Sequence, residues 1–257
     1  MKAISPDNPV LATINKVVDL MWVSILWCII CLPMIFGLFF GLEFLVGEEI
    51  YLFVMLMCPI CALTVGPASA ALYYSVVKVI RRERGYITKS FFHGFKINFK
   101  LGALTSLIYG VFIAIMYFDI KYSLLMAIHN ESTFSLILCG VFLCVIGFSL
   151  VILVWLNPVL SRFELNLKTL LKNTFLISVK NIFRTLILVI FWIGIGFVVF
   201  EMLLSSSLAR FASLLPFFLP GVSALVRSFV IEPVFKKLSS DVEDNGEDEN
   251  PDHWYNE

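Results

Sequence analysis

Long apolar segments dominate this chain and limit the folds that are open to it. Six of them can be read from the sequence, at residues 20–42, 50–77, 101–118, 133–157, 184–204 and 211–231. Most reach the roughly 20 residues with which a helix crosses a hydrocarbon layer about 30 Å thick. Inside a bilayer the backbone must satisfy its own hydrogen bonds, so such segments form helices. The sequence predicts an all-α, polytopic transmembrane bundle of six spans, with five as the alternative.

The overall composition agrees with a membrane protein. Of the 257 residues, 60% are hydrophobic and 15% are charged, against about 45–50% and about 25% in soluble domains. The runs are continuously apolar rather than alternating, which argues against a β-barrel. The first run is also longer than the roughly 7–15 apolar residues of a signal-peptide core. We therefore expect one transmembrane domain over residues 1–240.

Lysine and arginine are distributed unevenly among the loops. Of the 19 basic residues, all but Lys121 and Arg210 fall in the N-terminal stretch, the loops 78–100 and 161–184, and the stretch from residue 227 onward. Basic loops stay in the cytoplasm. The pattern predicts a multi-pass cell-membrane protein with both termini cytoplasmic, and the even number of spans favours six. The acidic tail, residues 241–257, is predicted to be a disordered cytoplasmic segment.

The first basic loop predicts an amphipathic helix from Tyr86 to Lys100. One side carries Phe91, Phe95 and Phe99, and nearly the opposite side carries four basic residues, here called the basic face: Lys89, His93, Lys96 and Lys100. Such a helix either rests on anionic lipid or docks a cytoplasmic partner. The sequence leaves both interpretations open.

The second basic loop, residues 161–185, has a narrower polar stripe at helical spacing. The stripe consists of Arg162, Asn166, Thr169, Asn173, Lys180 and Arg184. The other faces are largely apolar, which indicates a helix that packs beneath the bundle or continues the fourth span. Arg162 and Lys172 of this loop are further candidates for contact with lipid or a partner.

Proline and glycine interrupt three of the predicted spans. Pro33 lies in the first, Gly66-Pro67 in the second, and Asn157-Pro158 ends the fourth. Proline kinks a helix, and small residues let another helix approach closely. Paired broken helices also build the central sites of some transporters. Kinks and close packing are the simpler interpretation of these residues.

Two CxxC pairs occur in the first two spans, Cys28 with Cys31 and Cys58 with Cys61. Four thiolates are able to hold zinc or an iron–sulfur cluster. These pairs lie in apolar surroundings, where thiols behave as small hydrophobes. We therefore expect packing residues and no bound metal or other cofactor.

Several classes of function lack their usual signatures. The sequence contains no phosphate-binding loop, HExxH or GxSxG motif, and it has no run of basic residues typical of nucleic-acid binding. No Asp, Glu, Lys or Arg lies in the centre of a predicted span, where ion-coupled carriers need such residues. We expect neither an enzyme nor a nucleic-acid-binding protein.

Four stretches resemble the YesL-like family of bacterial integral membrane proteins. They are Leu32-Pro33, residues 64–100, residues 157–181 and residues 215–235. The second is the most specific, with Thr-x-Gly, small residues, a basic linker and a Phe/Lys helix that leads to Asn98-Phe99-Lys100. Family members run almost directly from Leu-Pro to Thr-x-Gly, whereas here residues 34–63 intervene, which leaves the span count open.

The resemblance implies a membrane protein of a Gram-positive bacterium, of unknown biochemical activity, associated with carbohydrate ABC importers. It transfers no catalytic residue. The leading hypothesis is an accessory or permease-like component of oligosaccharide uptake that contacts the bilayer and ABC transporter subunits. A structural or regulatory scaffold and a facilitator without ion coupling are the alternatives. The sequence does not define the oligomeric state.

The predicted orientation is tested by labelling single cysteines in a variant without native cysteines. Cysteines at positions 45 and 207 should react with an impermeant maleimide in intact cells, and those at 85 and 245 only after lysis. Labelling of position 245 in intact cells would refute the even number of spans.

Overall fold

The computed structural model describes residues 9–44, 59–60, 62–81, 86–130, 133–163, 165–204 and 215–243. Eight helices occupy these ranges: α1 (Pro9–Phe44), α2 (Val65–Arg81), α3 (Ile87–Ile97), α4 (Phe99–Asn130), α5 (Thr133–Arg162), α6 (Leu167–Lys180), α7 (Ile182–Leu204) and α8 (Leu215–Glu243). These ranges contain no strand. The predicted all-α class is therefore confirmed.

Five of the helices, α1, α4, α5, α7 and α8, are long and apolar enough to cross a membrane. Their apolar segments are Thr13–Met34, Phe99–His129, Thr133–Arg162, Ile182–Val199 and Phe217–Leu238. The chain is accordingly a membrane protein. Much of the second predicted span, residues 50–77, lies outside the described residues, so the choice between five and six spans stays a prediction.

Several helices extend beyond the predicted spans. The third span was predicted to end at residue 118, and α4 continues to Asn130. The fourth was predicted to end at Asn157-Pro158, and α5 passes through this proline to Arg162. Pro33 lies within α1, inside the first predicted span. At the C-terminus α8 extends to Glu243, so the start of the predicted tail is helical.

Gly66-Pro67 does not interrupt a span as predicted. The chain turns at Leu63 and Thr64, and α2 begins at Val65. Pro67 therefore lies in the first turn of a helix, where the missing N–H leaves no intrahelical bond unmade. The predicted close packing occurs at Gly66: a Cβ there would meet the Gly102 carbonyl oxygen of α4 and lie 2.8 Å from Ser106 Oγ.

Helix α2 lies at the centre of the bundle. Almost all of its residues from Gly66 to Val79 are buried, and it contacts α1, α3, α4, α5 and α8. Its first half is rich in Gly, Ala and Ser, which let neighbouring backbones approach closely. The small-residue segment therefore determines which helices pack around it.

A second close approach joins α1 to α8. The backbone N–H of Gly221 donates to Ser24 Oγ at 2.9 Å, and this hydroxyl donates in turn to the Leu20 carbonyl at 2.8 Å. A Cβ at Gly221 would lie 2.7 Å from that same carbonyl oxygen. The first and last described helices are thereby held together.

Each amphipathic helix ends at an asparagine, and the chain resumes as a long helix at once. The side-chain amide of Asn98 donates to the Gly94 carbonyl at 2.9 Å, and that of Asn181 donates to the Ile177 carbonyl at 3.0 Å. Asparagine side chains compete with the backbone for such carbonyls and favour helix ends. The predicted single helix from Tyr86 to Lys100 is therefore divided between α3 and α4.

The close packing of α2 on α4 predicts an intolerance to added side chains. Gly66→Ala should destabilise the protein by roughly 1–3 kcal/mol through overpacking, lowering its melting temperature in detergent. Gly140→Ala is the matched control, because a Cβ there meets nothing within 4 Å, and alanine favours a helix over glycine. Equal melting temperatures of the two variants would contradict this packing.

Candidate functional site

One carboxylate ties three helices together at one end of the bundle. Glu232 of α8 accepts hydrogen bonds from Arg162 of α5 at 2.7 Å and from Arg81 of α2 at 3.3 Å. The hydroxyl of Tyr73 donates to its other oxygen at 3.3 Å. The last turns of α2 and α5 therefore meet the C-terminal half of α8.

These charges are shielded from water. The Arg162 side chain is only 5% exposed and that of Glu232 is 16% exposed. The Arg162 guanidinium also lies 5.2 Å from the centre of the Phe235 ring, a cation–π distance. A buried ion pair is weak evidence of net stabilisation, but loss of one partner leaves a costly uncompensated charge.

A third arginine, Arg227, lies about 7 Å before Glu232 along the α8 axis. Arg227 is 5% exposed, its Nε donates to the Ser223 carbonyl at 3.3 Å, and its guanidinium lies 5.2 Å from the Trp192 ring centre. Among the described residues no carboxylate lies within salt-bridge distance of it. Arg81, Arg162, Arg227 and Glu232 are called the arginine cluster below.

The cluster corrects the expectation that no charged residue lies in the centre of a span, because Arg227 lies midway along Phe217–Leu238. Arg227 and Glu232 both belong to the membrane-crossing segment Phe217–Leu238. Sequence reasoning missed Arg227 because it was counted with the basic C-terminal stretch, although it lies inside the predicted span 211–231. Glu232 lies just outside that predicted span. An arginine that falls inside a predicted span was the available signal.

A cavity of about 780 Å³ opens beside Arg227. Its walls come from α1, α2, α4, α5, α7 and α8. Aliphatic and aromatic side chains form most of the wall, and its hydroxyl, amide and guanidinium groups are those of Ser69, Thr105, Ser106, Tyr109, Asn157, Ser223 and Arg227. The volume falls in the usual range of small-molecule sites, about 300–1,000 Å³.

The polar groups of this wall differ in how many of their hydrogen bonds are made within the protein. The hydroxyls bond within the protein, as Thr105 does to the Gly102 carbonyl at 3.0 Å and Ser223 to the Pro220 carbonyl at 2.8 Å. In the described part of the chain, Arg227 has only the Ser223 carbonyl as a hydrogen-bond acceptor. Its remaining N–H groups, like the side-chain amide of Asn157, have no hydrogen-bond partner among the described residues.

The cavity also has a polar and an apolar end. Arg227 and Asn157 each line it about 7 Å along their helices from the ion pair of Glu232 with Arg162. Farther from the pair, the α5 and α8 wall is mainly aliphatic, with Leu219 and Leu215 on α8 and Leu153 and Leu150 on α5. At this level the Tyr109 hydroxyl of α4, which also lines the cavity, bonds to Ser149 at 3.2 Å. Among the lining residues only Arg227 is charged, so the charge lies at the end near the arginine cluster, while the far end carries neutral and mostly apolar groups.

The structure separates the residues predicted to contact lipid or a partner. Lys89, His93 and Lys96 are exposed on α3, Lys100 is exposed on α4, and Lys172 is exposed on α6. Arg162 differs, because it is buried and paired inside the bundle. Its placement does not suit the predicted contact with lipid or a partner.

The aromatic side of the first amphipathic helix is divided in the same way. Phe91 is fully buried in a cluster with Val23 of α1 and Leu72 of α2, and Phe95 packs against this cluster. Phe99 is 47% exposed at the start of α4. Trp22 of α1 also donates to Thr88 Oγ1 at 2.9 Å, so α3 is fastened to α1 as well.

The cysteine pairs can be placed only in part. Cys31 is buried and Cys28 is half-buried in α1, where Cys28 lines the cavity. Cys58 and Cys61 lie outside the described residues, so the packing role of the two pairs stays a prediction. In the ranges that the structure describes, His, Cys, Asp and Glu side chains form no group able to hold a metal ion.

Because the Glu232 carboxylate is shared by two arginines, its replacement by a neutral residue is expected to have a large effect on stability. Glu232→Gln should lower the free energy of unfolding by about 3 kcal/mol, because Arg162 stays buried without a countercharge. Unfolding in detergent by urea measures this loss. In a double-mutant cycle with Arg162→Gln, the two losses should be clearly less than additive.

Glu201→Gln is the matched control, since Glu201 is exposed near the end of α7. It should leave the unfolding curve within about 0.5 kcal/mol of the wild type. If Glu232→Gln behaves like this control, the carboxylate does not compensate the buried arginine.

Comparison with known proteins yields one match. Residues 45–120 match the family model described as Protein of unknown function, DUF624. The match covers less than half of the chain and includes α2, α3 and most of α4. It is consistent with the YesL-like resemblance, whose most specific stretch, residues 64–100, lies inside it. No curated protein and no solved structure matches the chain.

Proposed function

We propose that this membrane protein is a non-catalytic accessory or permease-like component of an ABC-type system for oligosaccharide uptake. The observation that carries the proposal is the exposed basic face at the junction of α3 and α4. Lys89, Lys96 and Lys100 are all exposed there, while the aromatic residue Phe91 fixes α3 to the bundle. A rigidly held cationic surface is suited to an acidic partner.

The proposed orientation places this surface in the cytoplasm of a bacterial cell, where the ATPase subunits of an importer are found. The 17 basic residues of the predicted inner segments support this side. The carbohydrate linkage comes from the YesL-like resemblance alone. A regulatory or structural scaffold would use the same surface with a different partner.

The cavity argues against the stand-alone facilitator for sugars. A sugar carries hydroxyl groups on every face, and each one buried without a partner costs free energy. Beyond Arg227 and Asn157 the α5 and α8 wall is mainly aliphatic, and its one hydroxyl, that of Ser223, already donates to the Pro220 carbonyl. A permeating oligosaccharide would find few partners along this stretch, which favours the accessory role.

Charge reversal distinguishes a docking surface from a lipid contact. The triple variant Lys89→Glu, Lys96→Glu and Lys100→Glu should keep near wild-type yield and lose recovery of co-purifying importer subunits from native membranes. Each lysine near an anionic surface contributes only about 1 kcal/mol of lipid attraction, so the bundle contacts of Phe91 should hold α3 in place.

A second triple variant serves as the matched comparison. Lys168→Glu, Lys172→Glu and Lys180→Glu make the same charge change on α6, where all three lysines are exposed. Loss of partners only in this variant would move the docking surface to α6. Unchanged recovery in both variants would refute docking through these helices, and recovery of subunits unrelated to sugar uptake would refute the carbohydrate role.

A further inference from the structure

Arg227 is a charged side chain with an incomplete set of partners. Only 5% of its surface is exposed to solvent, and it lines the cavity. A charged group inside a membrane protein normally pairs with another charge. The described residues offer it one carbonyl and the face of Trp192, which leaves most of its donors for a molecule in the cavity.

The neighbouring charges cannot supply the missing anion. Within the described residues the arginine cluster contains three guanidinium groups and one carboxylate, a formal excess of two positive charges. The carboxylate of Glu232 is already shared by Arg81, Arg162 and Tyr73. The polar end of the cavity is therefore electropositive and attracts an anion.

The opposite end of the cavity is suited to an apolar group rather than to an anion. Leu150, Leu215 and Leu219 line the part farther from the cluster. An apolar wall of this kind gains free energy when an alkyl chain displaces water from it. A free inorganic anion has no apolar part to contact the aliphatic wall, and a sugar has no negative charge to pair with Arg227.

We propose that the cavity binds a membrane amphiphile with an anionic headgroup, such as a fatty acid or an acidic lipid. The headgroup accepts hydrogen bonds from Arg227 and Asn157, and the alkyl chain lies along the leucines of α5 and α8. This site is internal and separate from the basic face of α3 and α4. The two proposals can therefore fail independently.

The test is binding of a fluorescent polyene fatty acid of 18 carbons to the protein in phosphatidylcholine nanodiscs. We expect saturable binding, which Arg227→Gln weakens by about tenfold or more, as is usual when a charge-assisted hydrogen bond is lost. Arg227→Lys should retain most of the affinity because it keeps the positive charge.

Three controls separate the headgroup from the chain. Arg184→Gln makes the same change at an exposed arginine of α7 and should leave binding unchanged. The methyl ester of the fatty acid, which lacks the anion, should bind wild type and Arg227→Gln alike. Leu150→Trp narrows the apolar end and should weaken both ligands.

Two results would overturn the proposal. One is equal fatty-acid affinity of the wild type and a folded Arg227→Gln variant, as judged by its elution and melting temperature. The other is full displacement of the fatty acid by millimolar inorganic phosphate, which would show an anion site with no use for the chain. If Arg227→Gln does not fold, binding that is insensitive to Leu150→Trp overturns it equally.

Discussion

The carboxylate of Glu232 is the interaction on which the end of this bundle depends. A guanidinium group as buried as that of Arg162 is costly in a membrane protein unless an opposite charge lies beside it. Glu232 compensates Arg162 at 2.7 Å and Arg81 at 3.3 Å, so α2, α5 and α8 must converge there. Because α2 is surrounded by other helices, fixing its last turn positions the rest of the bundle.

The same arrangement determines the character of the cavity. One carboxylate shared by two arginines leaves Arg227 without an anionic partner in the described part of the chain. Farther from it, the α5 and α8 wall is mainly aliphatic. Close packing at Gly66 and Gly221 holds α4 and α1 near this region. The cavity combines a charged end with an apolar end because the charge lies near one end of the helices.

Much of the fold could be predicted from the sequence because hydrophobic length is a strong signal. The long helices α4, α5, α7 and α8 overlap the predicted spans, and both basic loops contain the predicted amphipathic helices. The helix ends were harder to predict. Asn98 and Asn181 end their helices through side-chain bonds to carbonyls four residues earlier, and Pro158 continues a helix in which a stop was expected.

The candidate site could not be predicted from hydrophobic length or helical spacing, because it is formed by residues far apart in the chain. Arg81, Arg162 and Glu232 lie in three different segments, and each alone resembles an ordinary charge at the edge of a span. Arg162 was assigned to a polar stripe because helical spacing reports which residues share a face and not what covers that face. Its carboxylate partner lies on α8, 70 positions away. Only the packing of α2 between α5 and α8 brings these charges together. That packing depends on the small residues of α2, which let neighbouring helices approach closely, and the sequence alone does not show which helices these are.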